Sequence, residues 1–147
     1  MIYSKEKITA FTETAAHKIF DHPIISFALG AGGFIAGGFG RQVLKNPDEL
    51  YGYLVECAGD IDIFFPSSKI YESTLEFAGA YCNERKQKNP DCFSHNFSIR
   101  PSLANFCTNI FLPESEFFSQ NTHVNGRWYQ PGNIKIQLVN VFHGDPS

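Results

Sequence analysis

The hexapeptide Asp60-Ile61-Asp62-Ile63-Phe64-Phe65 constrains the fold of this chain more than any other stretch. Residues i and i+2 of a strand share one face. A strand here sends Ile61, Ile63 and Phe65 to one side and two carboxylates to the other. Isoleucine and phenylalanine suit a pleated, half-buried surface. Gly59 in front and Pro66-Ser67-Ser68 behind mark its ends. The apolar side demands a core, and the acidic side demands a countercharge, because two like charges so close are costly unless a cation neutralises them. A hard divalent ion with oxygen ligands, Mg²⁺ or Mn²⁺, meets that demand. A solvated strand edge accounts for a lone Asp-x-Asp. It accounts poorly for two acids set in an otherwise apolar strand.

The other elements arrange themselves around this strand. The spacing of Ile8, Phe11, Ala15, Ile19 and Phe20 predicts a helix over 4–20, stopped by Asp21-His22-Pro23. The apolar run 24–29 reads as a buried strand, and 33–44 as a helix that follows it. Residues 45–58 read as a loop with some helix. A helix over about 68–86 follows the acidic strand. The C-terminal half reads as strands over 95–99, 106–111, 117–124 and 133–142, with turn signals at Gly126 and Pro131-Gly132. At 147 residues, without repeat or linker, this is one domain spanning 1–147. The expected class is α/β (α+β), a mixed sheet flanked by helices.

Composition narrows the function. Fifteen Phe, six Tyr and one Trp supply a core, and a net charge of −3 argues against a broad nucleic-acid-binding face. No apolar run is long enough to span a membrane, and the polar N-terminus lacks a secretory leader. Cys57, Cys82, Cys92 and Cys107 are irregularly spaced, which suits reduced thiols in a cytoplasmic protein better than zinc ligands. The five histidines are dispersed and suggest no metal site. Arg85, Lys86 and Lys88 read as a solvated helix end. Trp128, in Arg127-Trp128-Tyr129 of an expected hairpin, reads as packing on the sheet rather than stacking on a base.

A second feature lies about 27 residues before the two acids: Gly32-Gly33, read as the turn between the strand 24–29 and the helix 33–44. Such a pair is usually only a tight turn. Between a strand and a helix it lets the backbone approach a phosphate, with the helix amides and dipole behind it. Arg41, one or two turns along, reaches a phosphate in that arrangement. Together with Asp60 and Asp62 the turn suits a metal–triphosphate complex.

The pattern Ala31-Gly32-Gly33-Phe34 … Arg41 … Gly59-Asp60-Ile61-Asp62-Ile63-Phe64-Phe65 resembles the polymerase-β-type nucleotidyltransferase superfamily. It is most like the small nucleotidyltransferases predicted in bacteriophages and large viruses, and the likeness covers residues 24–65. The resemblance implies a nucleotidyltransferase-like fold and transfer of a nucleoside monophosphate from an NTP to an acceptor hydroxyl of a protein, an RNA or a small molecule. It implies nucleotide contacts at Gly32 and Gly33, and Asp60 and Asp62 as catalytic metal ligands for Mg²⁺. It also implies a third carboxylate on a neighbouring strand. The best candidate strand, Asn133 to Asn140, has no acid and carries Gln137 instead. Asp145 lies beyond it in a turn, where relatives continue to another strand. The expectation is therefore a domain incomplete at its C-terminus. Such a chain either works with a second chain or copy, or is an inactive member that binds, regulates or builds a viral assembly.

Overall fold

A computed structural model describes residues 2–3, 17–45, 49–50, 52–57, 59–88, 97–101, 106–113, 116–117, 123–124, 127–128 and 133–140. Its frame is a six-stranded mixed sheet in the order β1-β2-β3-β8-β5-β4, formed by β1 (Ile2–Tyr3), β2 (Phe34–Ala36), β3 (Asp60–Phe65), β4 (Ser98–Pro101), β5 (Cys107–Pro113) and β8 (Asn133–Asn140). The hairpin strands β6 (His123–Val124) and β7 (Arg127–Trp128) pair separately. The centre is the parallel pair β3–β8, and the remaining neighbours in the large sheet are antiparallel. An α+β domain with a mixed sheet is thus what the chain forms. Among the described residues no helix is long and apolar enough to cross a membrane.

Alternation fixes the two faces of this sheet. Ile61, Ile63 and Phe65 on β3, Ile134, Ile136 and Leu138 on β8, and Ile110 and Leu112 on β5 are fully buried. Helices α2 (Pro23–Gly30) and α4 (Ser68–Lys88) pack together, with Phe27 stacked on Phe77 at 4.4 Å. From α4 the Tyr71 hydroxyl meets Thr108 Oγ1 of β5 at 2.6 Å, in the buried layer. The start of α4 is capped by Ser67, whose Oγ accepts from the Ile70 amide at 3.3 Å.

Two expected elements are corrected. Residues 24–29 form helix α2, not a strand. Pro23 sits in its first turn, and His22 Nδ1 accepts from the Ile24 amide as an N-cap. A short apolar run looks alike in a buried strand and a buried helix, and here Ile24, Ile25, Ala28 and Leu29 repeat at helical spacing. Residues 33–44 are not one helix. They divide into strand β2, a turn at Gly37, and helix α3 (Gly38–Lys45). Of the expected strand 117–124, His123–Val124 is strand, Phe117 lies in a turn, and residues 118–122 fall outside the described residues. The expected strands at 95–99, 106–111 and 133–142 correspond to β4, β5 and β8, with residues 95–96 and 141–142 outside the described residues, and 45–58 holds a wide helical turn, Gly52–Glu56. Short helix α1 (His17–Phe20) lies within the expected helix 4–20, of which residues 4–16 fall outside the described residues. His95, His143, Cys92 and Asp145 do too.

A buried polar cluster ties α2 and α4 to the segment after β5. Because His22 Nδ1 accepts from Ile24, its ring proton is on Nε2, which donates to Glu116 Oε1 at 3.0 Å. The Tyr81 hydroxyl donates to the same oxygen, and Arg85 Nε donates to the Tyr81 oxygen at 3.1 Å. Phe117 stacks on the His22 ring at 4.7 Å. Burial alone would raise the Glu116 carboxyl, but the bonds from His22 and Tyr81 and the Arg85 charge hold it below the ordinary range. Burial and the Glu116 bond push Tyr81 up to about 12. A carboxyl lowered by folding stabilises above its unfolded pKa and loses that contribution as pH falls through its folded one. Glu116→Gln should therefore cost about 1.5–3 kcal/mol at pH 7, the usual range for hydrogen bonds to a charged group. The loss should shrink in acid, as read by urea unfolding at pH 7 and pH 4.

Candidate functional site

Gly32-Gly33 and the two aspartates lie toward opposite ends of β3. Gly32, at φ 117°, is the left-handed residue that ends α2. The Gly33 amide donates to Ala28 O at 2.9 Å and the Gly32 amide to Leu29 O at 3.2 Å, the bond pair of a Schellman cap. A Cβ on Gly33 would stand 2.8 Å from Ala28 O and 3.1 Å from Ile63 and Phe65, so this glycine is needed for packing. The pair closes a helix and precedes a strand, which corrects the expected strand–turn–helix arrangement around it.

That arrangement occurs five residues later. Strand β2 ends at Ala36, Gly37 turns at φ 87°, and α3 starts at Gly38. Strand β2 runs antiparallel to β3, with Phe34 opposite Phe64 and Ile35 opposite Ile63. Continuing that register carries Gly37 to the aspartates, and a Cβ on Gly37 would lie 3.5 Å from Asp62 Oδ2. A Cβ on Gly38 would lie 2.8 Å from the Tyr53 hydroxyl. The glycines thus bring backbone and tyrosine close over the acidic face.

Asp60 and Asp62 share the face opposite the core, as alternation requires. On the parallel neighbour β8, Lys135 is level with Asp60 and Gln137 with Asp62. Lys135 Nζ is 3.4 Å from Asp60 Oδ2. Asp62 Oδ1 is buried and, among the described residues, has no hydrogen-bond partner. Desolvation, then repulsion by Asp60, raises the Asp62 carboxyl above its ordinary range, partly offset by Lys135. Desolvation also raises Tyr53, and Asp62 and Asp60 add to it while Arg41 opposes. Cys107 of β5 is raised chiefly by burial, against a hydrogen bond with Gln137.

Beside the turn, Gly38, Arg41, Gln42 and Lys45 line an open groove of about 250 Å³ along α3. Its two cations and the glycine turn make a surface suited to phosphate oxygens, and Gly37, the residue before Gly38, lies beside Asp62. The donor set fits one hard cation. Two carboxylates share one face, one of them with a buried oxygen that has no partner among the described residues, and Gly37 leaves the space beside it free of a side chain. No group of three or more His, Cys, Asp and Glu converges as a metal site among the described residues.

Of the expected site residues, Asp60 and Asp62 share one face of β3 and Arg41 lines the groove beside the Gly37-Gly38 turn, whereas Gly33 packs at the other end of the strand. The signal for Gly37-Gly38 was Phe34-Ile35-Ala36, three residues with strand character directly before it. Tyr53 and Lys135 carried no signal, since their roles depend on packing and register. Comparison of the chain with protein-family models, with curated proteins and with solved structures finds no match.

A carboxyl whose pKa is raised by folding favours the folded state below its unfolded pKa and weakens it as pH rises through the folded value. Asp62→Asn should therefore stabilise the metal-free protein at pH 7 and do so less at pH 4. A gain of about 1 kcal/mol, within the usual range for relieving a buried unsatisfied group, corresponds to roughly 2–4 °C in a chain of this size. Thermal melts of both proteins at the two pH values read the difference.

Proposed function

We propose that this chain is a nucleotidyltransferase-type protein that binds an NTP with Mg²⁺ or Mn²⁺ and moves its NMP to an acceptor hydroxyl. One observation carries the reading: a strand–Gly37-Gly38–helix turn set against Asp62, whose Oδ1 is buried and has no hydrogen-bond partner among the described residues. The sequence resemblance around Asp60-Ile61-Asp62 supports it independently.

In this reading Asp60 and Asp62 hold the cation. The Gly37-Gly38 turn and the start of α3 receive the triphosphate, and Arg41 and Lys45 face its outer phosphates from the groove. When bound, the divalent ion supplies charge neutralisation at the phosphoryl oxygens. The acceptor oxygen forms a bond to the α-phosphorus, and the bond from that phosphorus to the bridging oxygen breaks. Pyrophosphate leaves with the electron pair, and the hydroxyl proton passes to solvent. The protein works in the cytoplasm, consistent with free Cys57, Cys82 and Cys107.

A second reading, a member that binds nucleotide without transferring it, is favoured by Lys135 and Gln137 at the β8 positions beside the aspartates. Incubation with α-labelled ATP or GTP and pools of protein, RNA and small-molecule acceptors separates the two. Label transfer supports the first reading, and binding without transfer supports the second.

Calorimetric titration of ATP and GTP should show binding that needs Mg²⁺. In the Asp60→Ala/Asp62→Ala variant it should fall more than tenfold, a loss above about 1.4 kcal/mol. Unchanged binding in the variant would refute the site. Gly37→Ala should weaken nucleotide binding, whereas Gly32→Ala should leave it intact. Both should lower stability by roughly 1–2 kcal/mol, because both residues hold a left-handed backbone. The same titrations and urea melts check both variants.

A further inference from the structure

The β3–β8 register places a cation inside the acidic face. Lys135 is level with Asp60, its Nζ 3.4 Å from Asp60 Oδ2, and both side chains are only about a third exposed (32% and 31%). Gln137, level with Asp62, adds no charge. On the far side of Lys135, Phe111 of β5 fills the matching register position, so an aspartate and an aromatic residue flank the lysine in the sheet. Parallel pairing fixes this placement through the buried Ile61–Ile136 and Ile63–Leu138 neighbours, and a slip of one residue would turn Lys135 into the core.

We infer that Lys135 supplies the second positive charge of this site, so that the site holds one divalent ion where a three-carboxylate site holds two. The inference rests on the cation–triphosphate reading above. Charge balance carries it. Three carboxylates with two divalent ions leave one net positive charge. Two carboxylates with one divalent ion and one ammonium leave the same. A second ion beside Asp60 would have to displace the ammonium and would lack a third acid among the described residues. The same ammonium relieves the repulsion felt by Asp62. Lys135 is thus a built-in countercharge, present before any ligand arrives.

The test counts ions rather than turnover. The full chain is saturated with the non-hydrolysable α,β-methylene analogues of ATP and GTP in turn, and bound Mn²⁺ is measured by dialysis and by electron paramagnetic resonance. The wild type should hold one Mn²⁺ per nucleotide complex, with the six-line spectrum of an isolated ion. Lys135→Glu should hold two, with the broadened spectrum of ions about 4 Å apart. Lys135→Gln keeps size and polarity without charge. It should bind Mn²⁺ alone about fivefold more tightly than wild type, the equivalent of about 1 kcal/mol for an ion pair this exposed. Two coupled ions in the wild type would overturn the inference and leave the nucleotide site standing. Unchanged affinity in Lys135→Gln would overturn it as well. Absence of Mn²⁺ from both wild type and Lys135→Gln would overturn the underlying site reading, and the inference with it. If Lys135→Glu fails to fold, the wild-type count and Lys135→Gln decide the matter.

Discussion

Strand β3 cannot satisfy both of its faces without the rest of the domain. Ile61, Ile63 and Phe65 require complete burial, and the backbone then has no choice about Asp60 and Asp62, which must stand together on the other side. Their repulsion falls where the sheet is most constrained, at the centre of a mixed sheet with β2 on one side and β8 on the other. Hydrophobic burial is worth about 1.5–3 kcal/mol per large side chain, so three such residues outweigh the strain of an adjacent pair of carboxylates. The strained pair persists because the core holds it.

Neighbouring strands moderate that strain without removing it. Lys135 answers Asp60, while Asp62 keeps a buried oxygen with no partner among the described residues. A buried acceptor left without a donor is costly, and such an atom in a native fold calls for an explanation, a water or an ion among them. The glycine turn fits the same logic. Gly37 at φ 87° leaves space beside Asp62 that any side chain would fill. Strain, unmet hydrogen bonding and open space coincide at one place.

Far from that face, the His22–Glu116–Tyr81–Arg85 cluster solves a different problem. Helix α2 begins beside buried surface, and its N-terminal amides need an acceptor. His22 Nδ1 accepts from the Ile24 amide and its Nε2–H donates to Glu116, which also accepts from the Tyr81 hydroxyl. Both ring nitrogens of His22 are used, and Glu116 Oε1 takes two donors. The contrast with Asp62 separates a group that stabilises the fold from one that burdens it.

The sequence by itself determined β3, its two-faced chemistry, helix α4 and the β-rich second half, because alternation and turn residues are local signals. It also determined the α+β class, and it exposed the want of an acid on Asn133–Asn140. Tertiary structure decided the rest. Residues 24–29 became a helix because a short apolar run is compatible with either state and the cap at His22-Pro23 settled it. That choice converted Gly32-Gly33 into a helix cap and moved the strand–turn–helix unit to Gly37-Gly38. Lys135 met Asp60 only through a pairing some 75 residues apart in the chain, a register set by the buried face of the sheet rather than by any residue near either one.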